Sequence, residues 1–444
     1  MKRIGLAIGV AVLMAGCALW GFFIHRNHLF PYRLLRRAYV RVAPAKTAVR
    51  RFRPGRSGAG SSPEAVDGIA RLPYLRGYRP AGEKAGIRLY DRAAAEDGLN
   101  LLTSGHAPVA LLMDMDGTIV KSWSVDARKA FPGLALENPD LEREKYLVCA
   151  RTTGDGGLLA MFDQIGLVRL DAASRPLWTY RQRVHHTLSC LPSGGAWVLS
   201  RQKLPAPAFG RDEGIWEEFI EELSPEGRLV RRISLLEAFR RSPYAVTLLQ
   251  MPPYPDVFHT NSIQVLDGSL APLSPLFRRG NILLSMRHLD LVAILDPDAE
   301  TIVWALTGQW RFQHSAGLLP TGRLLLFDNL GAPGGTSRVL EVDPFTQQVA
   351  WSFAGRPGEG LYSETSGAVE RLAGGNTIVV ESNFGRALEV TPEGRVVWEF
   401  VNPNRAGRNG ELVATLYHME RLPRAPFPLK DAGAPSEPPA SPPR

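Results

Sequence analysis

The chain has 444 residues, 45% of them apolar, with 43 Gly and 35 Pro. Such a length holds one large domain or a few ordinary ones, and the frequent turn residues point to many short strands rather than long helices. The net charge of +8 is misleading: residues 1–56 hold twelve Lys or Arg and no acid, and the rest of the chain carries 40 basic against 44 acidic side chains. A nucleic-acid partner needs a basic face that neutralises phosphates, so that function class is excluded for the mildly acidic globular part.

Gly5 to Ile24 is an apolar run of twenty residues after Lys2 and Arg3. At about 1.5 Å per helical residue it is long enough to cross a bilayer, so residues 1–24 are predicted to be a membrane anchor. Leu13-Met14-Ala15-Gly16-Cys17 resembles a loose lipoprotein box, but apolar residues continue through Ala18, Leu19, Trp20 and Phe22, which favours a retained span. Residues 25–80 read as a basic linker at the membrane surface, with Arg26, Arg33, Arg36, Arg37 and Arg41 beside the span. Taken literally, the positive-inside rule leaves the large domain cytoplasmic. Cys149 and Cys190 fit either a disulfide or two buried thiols.

From residue 81 to 421 one supersecondary unit recurs six times: an apolar pair, a polar turn, then an apolar strand usually holding Trp. The copies run Leu111–Val125, Gly166–Tyr180, Ile220–Leu235, Leu291–Leu306, Val339–Phe353 and Ala387–Phe400. Their turns begin near Asp114, Asp171, Ser224, Asp296, Asp343 and Thr391, at spacings of 57, 53, 72, 47 and 48 residues. These spacings predict an all-β, six-bladed propeller. Residues 422–444, rich in Pro, Ala and Ser, read as a disordered tail.

A second repeat lies upstream of most of these hairpins. His186 precedes Gly194 by eight residues, His314 precedes Gly322 and Ser366 precedes Gly374 by the same interval, and His259 precedes Gly268 by nine. Arg201, Arg287 and Asn329 each follow a turn glycine by seven, and Asn383 sits one place later. First strands of propeller blades line the central channel, so equivalent positions converge. A ring of His186, Arg201, His259, Asn261, Arg287, His288, His314 and Asn329 is therefore expected at one channel mouth, with the insertion Leu236–Phe258 as a lid.

A single histidine at the start of an inner strand is as often a satisfied structural residue as a functional one. Three at equivalent positions with two arginines fit a small anion such as sulfate, phosphate or carboxylate, because guanidinium presents paired donors and imidazole moves protons or attacks as a nucleophile near neutral pH. No His-x3-His or Cys-x2-Cys spacing is present, so neither a metal nor another cofactor is expected.

His259-Thr-Asn261, Gln313-His314, Phe327-Asp-Asn329, Ser337-Arg338, Gly385-Arg386-Ala-Leu-Glu389-Val390 and Val397-Trp-Glu-Phe400 resemble the bacterial arylsulfotransferase family over roughly His259 to Pro403. The resemblance implies a six-bladed propeller, exported, that moves a sulfuryl group between phenols without the nucleotide sulfate donor, through a transiently sulfated histidine. Its exported propeller stands against the charge rule above and, with the span at Gly5 to Ile24, gives the expectation of an inner-membrane, single-pass protein with a periplasmic propeller that takes a small anionic aromatic substrate. It also implies that His259, His314 and Arg338 hold the transferring group. The family's sulfated histidine should come from Ser366 to Glu389, which holds no histidine here; His314, His288 or His259 would have to serve, or the protein binds its ligand without turning it over.

Overall fold

The computed structural model describes residues 77–82, 85–133, 146–406 and 410–424. The expected anchor, most of the basic linker and all but the start of the Pro-rich tail lie outside the described residues. Among those described, no helix is long and apolar enough to cross a membrane.

Six antiparallel blades follow one another along the chain. Blade 2 comprises Leu147–Thr152, Leu158–Phe162, Gly166–Leu170 and Pro176–Tyr180; blade 3 comprises Val184–Cys190, Ala196–Ala206, Arg211–Leu223 and Leu229–Ser234. Blade 4 comprises Thr260–Val265, Ile282–Met286, Leu291–Asp296 and Thr301–Thr307; blade 5 comprises His314–Leu318, Leu324–Ala332, Thr336–Val342 and Val349–Phe353. Blade 6 comprises Ala368–Arg371, Thr377–Glu381, Arg386–Val390 and Val396–Val401, with Gly86–Tyr90 as a fifth, outer strand. Blade 1 takes Leu99–Ser104, Val109–Met113 and Ile119–Ser124 from the start of the domain and Leu416–Leu422 from its end. The six hairpins read from the sequence are the third and fourth strands of the six blades.

The turn residues earn their places chemically. Asp114, Asp171, Asp296 and Asp343 each accept two backbone N–H groups of their own turn through one carboxylate oxygen, closing the third-to-fourth-strand connection. The fourth-strand tryptophans stitch neighbouring blades. Trp178 donates to Pro225 O at 2.9 Å, Trp351 to Pro392 O at 2.7 Å and Trp398 to Met115 O at 3.0 Å, each reaching the turn of the next blade.

Apolar clusters fill every blade interface. They join blades 1 and 2 around Trp123 and Phe162, 2 and 3 around Met161 and Val198, and 3 and 4 around Phe239 and Phe258. The series continues with blades 4 and 5 around Leu283 and Leu326, 5 and 6 around Phe327 and Val379, and 6 and 1 around Trp398 and Met113. Each fully buried Leu or Phe contributes about 1.5–3 kcal/mol, so an isolated blade would expose two such faces and could not persist alone.

The ring closes through Leu416–Leu422, which pairs with Leu99–Ser104. Arg421 fastens that strand: its guanidinium donates to Asn100 Oδ1 at 2.8 Å, to the Glu96 carbonyl, and to the fully buried Glu389 at 3.0 Å in blade 6. Removing one partner of a buried ion pair strands the other, at about 3–5 kcal/mol. Arg421→Ala is therefore expected to lose about that much stability in denaturant unfolding. A loss below about 1 kcal/mol, the range of an exposed pair, would show that the latch does not hold the ring.

Candidate functional site

The first strands of blades 3, 4 and 5 bring their histidines together. In each of these blades the pairing of the first two strands slips at the start, between Val184 and Leu188, Thr260 and Ser262, and His314 and Gly317. Such a bulge turns a side chain away from the ladder. His186 and His259 reach the mouth with φ of 61° and 53°, left-handed conformations that strain a non-glycine residue by about 1–3 kcal/mol. Ring centroids lie 4.8 Å apart for His186 and His259, 6.4 Å for His186 and His314, and 4.5 Å for His259 and His288.

Hydrogen bonds around these rings settle which nitrogen carries the proton. Asn329 donates both amide hydrogens to backbone carbonyls, Ser363 O and Ser366 O, each at 2.7 Å, which fixes its oxygen toward His314 Nδ1 at 2.8 Å. His314 Nδ1 must then be the donor, leaving a lone pair on Nε2. His259 Nδ1 donates to Asp256 Oδ2 at 2.6 Å, again leaving Nε2 free. His288 Nδ1 donates to Asp256 O at 2.7 Å while its Nε2 accepts from Arg287 at 2.9 Å. His186 Nδ1 shares a hydrogen with His185 Nδ1 across 2.8 Å.

Electrostatics keep the rings neutral. Burial lowers the pKa of His186 and His259 to about 4 and of His288 to about 3, and drives that of His314 well below the ordinary histidine value. Burial pushes Asp256 the other way, but its bond to His259 and the charge of Arg201 hold it below the usual carboxylate range. At neutral pH the site therefore presents imidazole lone pairs beside an ionised aspartate.

The other residues expected in the ring divide into two groups. Arg287 stays at the site, its guanidinium 4.4 Å over the Phe312 ring and bonded to His288. Arg201 donates to Gln164 Oε1 at 2.7 Å and lies 3.7 Å from Asp256. Asn261 is buried and ties blade 4 to blade 5 by donating to Gln313 O at 2.8 Å, and Asn329 orients His314. Arg338 stands apart. It lies on the third strand of blade 5, two strands out from the channel, and gives its bonds to Asp328 and to Gln309 O, each at 2.8 Å. Of the two arginines expected to hold the ligand, Arg287 and Arg338, only Arg287 lies beside the histidines.

Sequence reasoning gave no role to His185 or to Asp256. The expected lid holds a short helix, Leu235–Arg240, and a 3-10 turn, Ala245–Gln250, before it delivers Asp256 beneath His259. Tyr254 from the same segment stands edge-on to His288 at 5.0 Å. A carboxylate three residues before a histidine was the available signal. Cys149 and Cys190 are both free thiols.

Toward the other ends of the first strands a second polar group lines the channel. Arg151 of blade 2 pairs with Glu420 at 2.9 Å and with His418 Nε2 at 2.5 Å, both from blade 1. Glu370 of blade 6 accepts from the Arg421 N–H at 3.0 Å, and burial raises its pKa to about 7 from an ordinary 4.5. Between those two values the native state holds a proton that the unfolded chain releases, so this group's contribution to stability falls as pH rises through that window. Glu370→Gln should remove that fall: the melting temperature of the variant minus that of the wild type should grow more positive from about pH 5 to about pH 8. A difference that is flat or shrinks with pH would mean that Glu370 is already ionised in the fold.

Fold and site together define a six-bladed propeller with a histidine-lined channel mouth. The family model described as arylsulfotransferase (ASST) matches residues 155–403. That is more than half of the chain, and the protein belongs to the arylsulfotransferase family. No curated protein matches it. Similar solved structures include a protein of unknown function from Bacteroides caccae, at 13% identity over 73% of this chain and 98% of that one, with a TM-score of 0.47. The WD40 propeller domain of Doa1 is 13% identical over 78% and 95%, with a TM-score of 0.41. Virginiamycin B lyase from Staphylococcus aureus is 11% identical over 57% and 69%, with a TM-score of 0.35.

Proposed function

We propose that the protein transfers a sulfuryl group from an aryl sulfate to a phenolic acceptor, with His314 as the nucleophile. The observation that carries this reading is the fixed proton on His314 Nδ1, which leaves a neutral Nε2 lone pair at the channel mouth. Blade 6 lacks the family's histidine; the segment leading into it supplies the Ser363 and Ser366 carbonyls that set this proton. Arg287, whose Nε has no hydrogen-bond partner among the described residues, is placed to hold sulfuryl oxygens. Tyr254, edge-on to His288, offers an aromatic face to the aryl ring.

In the first half-reaction the Nε2 lone pair of His314 forms a bond to sulfur as the aryl oxygen–sulfur bond breaks, and the donor leaves as phenolate with the electron pair. In the second, an acceptor phenol gives its proton to His259 Nε2, its oxygen attacks sulfur, and the nitrogen–sulfur pair returns to His314. Asp256 steadies the imidazolium that forms on His259. Retention at the cell envelope through residues 5–24, with the propeller exported, belongs to the same proposal. A purely anion-binding propeller is the weaker reading, because an anion would call on Arg287 and give the Nε2 lone pairs of His259 and His314 nothing to do.

The test is release of nitrophenolate from 4-nitrophenyl sulfate with phenol as acceptor. Turnover should depend on the acceptor, fall to background in His314→Ala, and fall by about 10²–10⁴ in His259→Ala. Unchanged turnover in His314→Ala would remove it as nucleophile, and absence of any transfer by the wild type would leave the binding reading.

A further inference from the structure

Three imidazoles from three different blades offer one nitrogen each, and these atoms lie within 4.8 Å of one another. The free nitrogen is Nε2 in His259 and His314, because Nδ1 of each is spent on Asp256 or Asn329. Lone pairs fixed at these two nitrogens attract an electrophile, and His186 offers a third at Nε2 when its Nδ1 donates the hydrogen it shares with His185. We propose that His186, His259 and His314 form a binding site for a divalent transition-metal ion of the zinc class, with three nitrogen ligands and an open fourth position.

The chemistry around the rings fits this assignment. Zinc takes neutral imidazole at about 2.0–2.1 Å, so bound ligand atoms would draw in to roughly 3.4 Å from one another, a movement within reach of small ring rotations. Metal-binding histidines characteristically donate their other N–H to a carboxylate or a carbonyl-type oxygen, which fixes the ring and raises its basicity; Asp256 and Asn329 do this here. Buried atoms bordering the histidines also lack partners, including Thr260 Oγ1, Asn261 Oδ1 and Asp256 Oδ1.

The sequence did not anticipate a metal because its search was for closely spaced ligands. That pattern belongs to ligands carried on one hairpin or helix. In a propeller the ligands come from equivalent positions of separate blades, here 73 and 55 residues apart. The site stands on this geometry whether or not the protein transfers sulfuryl groups. Only one consequence rests on that reading: zinc and aryl sulfate would exclude each other, since both require the Nε2 lone pair of His314.

The experiment uses the untagged full chain, stripped with a chelator and titrated with zinc chloride alone by calorimetry. One equivalent is expected to bind, with affinity at least tenfold weaker in His186→Gln, His259→Gln and His314→Gln. X-ray absorption of the zinc-loaded wild type reads the ligands without any substitution, and should show about three imidazole nitrogens at about 2.0–2.1 Å. No stoichiometric binding, or a shell of sulfur or of oxygen alone, overturns the proposal. A chain that transfers sulfuryl groups in chelator but binds no zinc would sink the metal site and leave the transfer reading intact. Zinc binding without any transfer would do the opposite.

Discussion

Closure of the ring is the constraint on which everything at the channel mouth depends. His186, His259 and His314 belong to three blades and share no local secondary structure, so nothing but the cyclic packing of blades sets their separation. That packing is a series of apolar interfaces, each filled from both sides, and the series ends where Leu416–Leu422 joins Leu99–Ser104. Opening one interface would let the first strands splay and would disperse the site before it unfolded any single blade.

The site adds rigidity of a second kind on top of that scaffold. His186 and His259 are held in left-handed backbone, and the slipped pairing at the start of each first strand aims the rings inward. The protons of His259 and His314 are then pinned by Asp256 and Asn329. Asn329 cannot rotate without losing two backbone acceptors, and Asp256 is anchored by His259 with Arg201 nearby. A nucleophile and a metal ligand need the same thing, a lone pair already pointing at the reacting atom, so the arrangement serves either chemistry.

Much of the fold was legible in the sequence, because the propeller repeats its turn chemistry. The aspartates at 114, 171, 296 and 343 mark where the third strand of a blade turns into the fourth, and the Trp that follows in most copies marks the blade interface. The histidine ring was legible for the same reason, since the turn glycines fix the offset of His186, His259 and His314 from their hairpins. Arg338 misled because proximity to a motif in sequence does not say how far a strand lies from the channel; its partner across the ladder is Asp328, and there it stays. Asp256 was harder to place because it sits in an insertion with no repeat to register it. The fixed tautomers were not legible at all, for they depend on carbonyls of Ser363 and Ser366 brought in by the neighbouring blade.

The whole reading of the site rests on protons held at Nδ1. Selective ¹⁵N labelling of histidine, with two-dimensional spectra that correlate ring nitrogens with ring carbon-bound hydrogens, reports the tautomer of each ring directly. His259, His288 and His314 should each show a protonated Nδ1 and an unprotonated Nε2 at neutral pH. Resonances showing His259 and His314 with the proton on Nε2, or both rings doubly protonated, would turn N–H donors rather than lone pairs into the channel and contradict both the nucleophile and the metal site.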